Sequence, residues 1–193
     1  MRELIKMVLV LSLIGTISGY GLAALKQATR ADIEEQVLTY VQGPALLGVL
    51  AGVENDPIKD RRKLSLEDGG EITVFPGFRG GRLTSLAFET FAPGYSGNIG
   101  VMVAFDLDAD TVSAVGVTTQ SETPGVGTRV FVPGFYEQFE DHPLTGLGLK
   151  KDNGDIDAVS GATFSSAGTV NAVGKAAELY PGLKEKARAA WNG

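Results

Sequence analysis

The chain opens on an unbroken apolar run. Met7 through Leu25 carries no charge, with Arg2 and Lys6 before it and Lys26 after it. About 20 apolar residues form a helix long enough to cross the hydrocarbon core of a bilayer. The pattern predicts a short tail at 1–6 and one membrane-spanning anchor at 7–25. A cleaved signal peptide is the alternative, since Gly21-Leu22-Ala23-Ala24 offers small residues. The apolar part of a signal is ordinarily about 7–15 residues, shorter than this run. Two basic residues flank each side, so the positive-inside rule leans only slightly toward an inside N-terminus. That orientation places the rest of the chain outside the cytoplasm.

Beyond the anchor the periodicity changes. Ile33, Val37 and Val41 recur every four residues, which predicts a helix over 31–41. Asp32, Glu34 and Glu35 stand near its start, where acids suit the positive end of a helix. Gly43-Pro44 interrupts this pattern and Ala45–Leu50 resumes it, giving a helical connector over 26–52. Residues 54–67 are polar and read as a surface excursion. Strand signals follow at 71–75 and 83–91, separated by the turn composition Pro76-Gly77-Phe78-Arg79-Gly80-Gly81. Val101, Val103 and Phe105 alternate, as do Val115 and Val117, so 99–105 and 111–119 form a hairpin with one apolar face per strand. A helix is predicted over 165–180, with Val170, Val173, Ala177 and Tyr180 on one face. Pro181-Gly182 is expected to break it before a short last helix at 183–191. The fold class is α+β, an antiparallel sheet packed with helices, with 53–193 as one domain.

Composition narrows the chemistry. The chain has no cysteine and one histidine. Disulfides, thiolate sites and multi-histidine metal centres are excluded. Any redox chemistry therefore comes from an organic cofactor. Residues 31–193 hold 13 basic and 22 acidic residues, a net charge of −9. An acidic domain does not suit the phosphates of a nucleic acid.

The segment Asp157-Ala158-Val159-Ser160-Gly161-Ala162-Thr163-Phe164-Ser165-Ser166 leads directly into the predicted helix. A helix N-terminus presents unpaired N–H groups and partial positive charge, which favour a phosphate. Gly161 and Ala162 let the backbone come close. Ser160, Ser165 and Ser166 are able to donate to phosphate oxygens. Plain N-capping by Ser160, Thr163 or Ser165 is the competing reading, worth about 0.5–2 kcal/mol.

A second stretch, Ser121-Glu122-Thr123-Pro124-Gly125-Val126-Gly127, is a loop stiffened by proline. Its glycines permit positive φ and a bare backbone. Gly94-Tyr95-Ser96-Gly97-Asn98-Ile99 precedes the third strand, and Val170-Asn171-Ala172-Val173 follows the threonine segment. In this order the four stretches resemble the FMN-binding domain family. With the anchor, they look like the G subunits of Rnf electron-transport complexes, over nearly the whole chain.

The resemblance implies that Thr163 carries FMN through a phosphoester bond, installed from FAD by a separate flavin transferase using Mg2+. It implies that Ser160, Gly161, Ala162 and Ser165 surround the phosphate. Glu122, Thr123 and Gly125 would line the flavin, with Glu122 and Thr123 bonding ring or ribityl atoms. Tyr95 and Ser96 would complete the pocket, and Val126 stands where the family often has leucine. Asp157 belongs to the motif and is assigned to transferase recognition or loop geometry. The implied protein is an electron-carrying subunit of an ion-translocating oxidoreductase in a bacterial inner membrane. Its flavin domain would be extracytoplasmic, and its partners would be other membrane subunits. A related C subunit of a sodium-translocating NADH:quinone reductase is the nearest alternative. An anchored, flavin-free binding or assembly module is the other. No acid–base pair or substrate pocket marks a stand-alone enzyme.

Other motifs fail on spacing. Gly168–Lys175 lacks the geometry and the Ser/Thr of a P-loop. Asp106, Asp108 and Asp110 begin like a calcium loop, but Thr111 and Val117 replace its glycine and closing glutamate. Gly94–Asn98 lacks the second glycine of a nucleophile elbow. His142 reads as a surface residue. Phe131, Phe135, Tyr136 and Phe139 read as core or interface, and Trp191 as packing near the C-terminus.

Overall fold

A computed structural model describes residues 1–67 and 69–191, leaving the side chains of Ala31, Asp32 and Glu34 outside the description. It divides into two compact units, Met1–Tyr40 and Val41–Gly193. The first is dominated by α1 (Arg2–Gln36). At about 1.5 Å rise per residue this helix is roughly 50 Å long. An 18-residue window within its Arg2–Arg30 part has mean hydropathy 2.0, and none of that window is buried. By length and composition this helix is able to cross a bilayer. The helix predicted at 31–41 does not start afresh: its first part is the end of α1, which runs to Gln36. The proposed effect of Asp32 and Glu34 on a helix start rests on side chains outside the described residues. Val37–Gln42 then widens into a π-helical turn.

The second unit begins with α2 (Gly43–Val49), in which Pro44 lies in the first turn. α2 follows directly on the π-helical turn, so Gly43-Pro44 does not interrupt the helical course. Six strands follow: β1 (Arg62–Ser65), β2 (Glu71–Arg79), β3 (Arg82–Pro93), β4 (Asn98–Asp106), β5 (Thr111–Thr119) and β6 (His142–Pro143). They form one antiparallel sheet in sequence order, each strand beside its chain neighbour. After β5 come the short α3 (Pro133–Tyr136) and the long α4 (Thr163–Trp191). The α+β expectation holds.

Three boundaries differ from those the sequence predicts, each for a visible reason. Pro76 lies inside β2, and the turn shrinks to Gly80-Gly81, both at positive φ. β1 reaches only to Val74, so Pro76 sits where β2 is an open edge, the position a strand proline tolerates. The Asn55 side chain covers that edge, donating to the Pro76 carbonyl (3.1 Å) and accepting from Phe78 N–H (2.9 Å). The polar excursion at 54–67 therefore hides β1. Thirdly, α4 runs straight through Pro181. Proline inside a helix costs about 3 kcal/mol, but the buried stripe Tyr180, Leu183, Ala187 keeps its phase across it while Pro181 itself is exposed. Tertiary packing overrides the local penalty.

α4 lies on β3 and β4. Val170, Val173, Ala176, Tyr180 and Leu183 meet Leu86, Phe88, Val101, Val103 and Phe105 in one core. Phe88, Phe105 and Tyr180 stack, with ring centroids 5.3 and 4.5 Å apart. Thr90 Oγ1 donates to the Ala172 carbonyl at 2.8 Å inside this layer. Leu46, Val49 and Leu50, with Phe75, Ala87, Met102 and Ala104, form the remaining buried apolar set. Glu89 accepts there from Gln42 and Thr118, and burial raises its pKa despite these bonds.

Phe135 and Phe139 are core residues, and burial also raises the pKa of the neighbouring Tyr136 phenol. His142 is not a surface residue: it pairs with Val112, and its side chain is 11% exposed. Trp191 donates from Nε1 to the Asp60 carbonyl at 3.1 Å.

The Tyr180 hydroxyl leaves the core to donate to Asp110 Oδ1 at 2.6 Å, and Lys184 also binds that carboxylate. Lys184 and then Tyr180 lower the Asp110 pKa below its ordinary 3.8. The ionised carboxylate therefore stabilises the fold above that value, and the contribution is lost as pH falls through the lower folded value. Asp110→Asn, which tolerates the positive φ of this residue, is expected to lower the melting temperature at pH 7. The gap from the parent protein should narrow in a thermal-melt series as pH falls below the ordinary carboxylate range.

Candidate functional site

Three segments meet at one cleft of about 290 Å³: the β3–β4 turn, the loop after β5 and the start of α4. Tyr95, Glu122, Thr123, Gly161, Ala162, Thr163 and Ser165 line it, together with Val126, Gly127 and Phe164. Seven of the ten candidate residues from the sequence are thus brought together. Ser96, Gly125 and Ser160 lie outside the lining. Ser96 contributes its backbone N–H to Glu122. Gly125 donates its N–H to Thr128 Oγ1 at 2.9 Å with φ at +73°. The exposed Ser160 gives its carbonyl to Arg129, whose Nη1 donates at 2.9 Å.

Glu122 ties the segments together. It is 4% exposed. Its Oε1 accepts from Ser96 N–H at 3.0 Å and its Oε2 from Ser165 Oγ at 2.5 Å. Both oxygens are thereby engaged by protein donors rather than held free for flavin ring or ribityl atoms. Gly127 is not at positive φ, unlike Gly125. Its contribution is clearance: a Cβ there would lie 2.5 Å from Glu122 Oε2 and 2.8 Å from Ser165 Oγ.

The start of α4 is left open. Ala162 occupies the capping position, its carbonyl accepting the first helical bond from Ser166 N–H at 2.9 Å. Alanine is among the poorest caps. Ser165 is committed to Glu122. Ser166 Oγ donates to the Ala162 carbonyl and accepts from Val159 N–H, both at 3.0 Å. Both serine hydroxyls are thus bonded within the protein in this structure. No side chain caps the N–H groups of Thr163, Phe164 and Ser165 among the described residues. A helix end without a cap calls for another partner, and an anion fits it. Gly161, at φ +78°, turns the chain into this end. The Thr163 side chain is exposed there.

The rim is aromatic. Tyr95 and Phe164 are each 71% exposed, with ring centroids 6.0 Å apart. The sequence motifs do not single out Phe164 or Arg129. Phe164 directly follows Thr163, but only the helical phase shows that its ring faces outward. Arg129 is a basic residue two places beyond the glycine loop of an acidic domain, a charge contrast visible in the sequence. Asp157 pairs with Lys150 at 2.6 Å, and its backbone N–H donates to Gln138 Oε1 at 2.7 Å. It therefore anchors the loop that leads to Thr163.

Residues 94–178, from the β3–β4 turn into α4, match the FMN-binding domain family. Over 185 residues the chain is 32% identical to the G subunit of the ion-translocating oxidoreductase complex of Cereibacter sphaeroides, covering 89% of this chain and 82% of that protein. The chain belongs to this G-subunit family. A second member, from Aliivibrio fischeri, is 30% identical over 193 residues, 91% of each chain. The crystal structure of NqrC from Shewanella oneidensis shares the fold, with a TM-score of 0.52 and 23% identity over 70% of this chain and 75% of that one.

As in a flavoprotein of this family, the cleft fits FMN at both ends of the cofactor. The uncapped amides beside Thr163 suit a phosphate, and the exposed rings of Tyr95 and Phe164 suit a planar aromatic system. The cleft lies at the low end of the roughly 300–1,000 Å³ of small-molecule sites, so a flavin would remain partly open to solvent. Gly127→Ala should cost about 1–3 kcal/mol by overpacking Glu122 and Ser165. Gly134→Ala, whose Cβ would meet nothing within 4 Å, should stay within about 0.5 kcal/mol of the parent protein. Urea unfolding of the two variants measures the difference.

Proposed function

We propose that this chain is a membrane-anchored flavoprotein subunit of an ion-translocating oxidoreductase complex, with FMN held on Thr163 as a phosphothreonyl ester. The observation that carries the reading is the exposed Thr163 hydroxyl at an uncapped helix start beside a cleft with an aromatic rim. Bound FMN supplies the electron chemistry, and the protein supplies position and electrostatics. The amides of Thr163, Phe164 and Ser165 orient the phosphate. Tyr95 and Phe164 pack against the ring, and Glu122 fixes the walls.

Attachment joins Thr163 Oγ1 to the phosphorus of the FMN half of FAD. AMP leaves and the hydroxyl loses its proton. No base is bonded to that hydroxyl among the described residues, so a separate flavin transferase with Mg2+ performs the step. The proposed domain runs over 53–193, outside the cytoplasm, and the anchor at 7–25 holds it in a bacterial inner membrane beside its partner subunits. A tether keeps the cofactor at an effective concentration on the order of mM, which a compartment without free flavin cannot supply.

Arg129 belongs to the same reading. Its guanidinium sits by Ser160 and Gly161 at the positive end of α4, where the helix dipole alone disfavours a cation. A phosphate between the two reconciles them.

The test is a mass spectrum of the protein co-expressed with a flavin transferase. The peptide containing Thr163 should carry the mass of FMN, and Thr163→Ala should carry none while keeping its circular dichroism. Thr163→Ser should retain part of the modification, and Arg129→Gln should slow it several-fold. An unmodified Thr163 peptide in the parent protein overturns the proposal.

A further inference from the structure

Resting on that reading, we infer that Glu122 sets the redox potential of the site: its buried negative charge, lodged in the cleft wall, makes the bound flavin harder to reduce.

Four observations carry it. Glu122 is 4% exposed and lines the cleft. It is the one charged residue in that lining among the described residues. Both its oxygens act as acceptors, from Ser96 N–H and Ser165 Oγ, which is the bonding pattern of a carboxylate. Finally, the backbone is bare where it passes the carboxylate. A Cβ on Gly94 would lie 2.6 Å from Oε1, and one on Gly127 would lie 2.5 Å from Oε2. The site accommodates this group tightly and meets its charge with two neutral donors.

A charge held this way acts strongly, since water screens it little. Reduction adds two electrons to the flavin, and the ring takes up one or two protons from solvent. Wherever electrons arrive ahead of protons, a flavin bound in the cleft that Glu122 lines would gain negative charge near it. Repulsion disfavours that change and lowers the midpoint potential. The electrons come from a low-potential donor in the complex or, in the test, from an electrode through a mediator. Glu122 touches no reacting atom in this account. It works through the field and through the Ser165 and Ser96 bonds, so it is a positioning and tuning residue.

The experiment is spectroelectrochemical titration of the full chain in detergent, after mass spectrometry has established FMN on Thr163. Glu122→Gln keeps the shape and accepts from one donor with its remaining oxygen. The midpoint potential of Glu122→Gln should be more positive than that of the parent protein. Ser165→Ala keeps the charge and removes one compensating donor, so its potential should be unchanged or more negative. An unchanged or more negative potential in Glu122→Gln overturns the inference. So does an equal rise in both variants, which would mark simple loosening of the cleft. A parent protein without FMN on Thr163 is a different failure, that of the attachment itself. If Glu122→Gln does not fold, Glu122→Asp serves in its place. Aspartate keeps the charge, so its potential should stay close to that of the parent protein, and a large positive shift would overturn the inference.

Discussion

The contact between α4 and the β3–β4 hairpin is the constraint on which the rest depends. One apolar stripe, from Val170 through Tyr180 to Ala187, fixes the helix on the sheet. Each fully buried large side chain in such a layer contributes about 1.5–3 kcal/mol. The Thr90 to Ala172 bond pins the helix along its axis, since a buried hydroxyl that lost its carbonyl would remain unpaired at a cost of about 1–3 kcal/mol. Because the body of the helix is held, its first turn can go uncapped. Ala162 stands where Ser, Thr or Asp would add stability. Departures of this kind from local preference gather at functional positions.

Much of the fold was legible because its signals were periodic. The alternation of Val101, Val103 and Phe105 and the four-residue spacing along α4 are packing patterns written directly into the chain. What escaped was set by partners distant in sequence. Pro76 looks like a turn until Asn55 is seen bonding the open edge of β2. Pro181 looks like a stop until Leu183 and Ala187 are seen buried beyond it. β6 is two residues long and exists only because Thr111 and Val112 offer an edge.

The site divides the same way. Thr163, Gly161 and the glycine loop were readable as short motifs with known backbone consequences. The engagement of Glu122 was not, because Ser96 and Ser165 come from segments 26 residues before it and 43 after it. The serines of the threonine segment look like phosphate donors in isolation. In the folded chain, two of the three are spent on holding the loop and the wall.

The openness of the cleft has a consequence for traffic. A cofactor gripped by non-covalent contacts alone needs deep enclosure, and depth hides it from other proteins. Under the proposed ester at Thr163, retention and enclosure become separate problems. The bond handles the first, which leaves a shallow seat with Tyr95 and Phe164 at its lip. A flavin held this way would stay accessible at the lip of the cleft. A donor and an acceptor could each reach it by brief collision, without any hinge having to open between one delivery and the next.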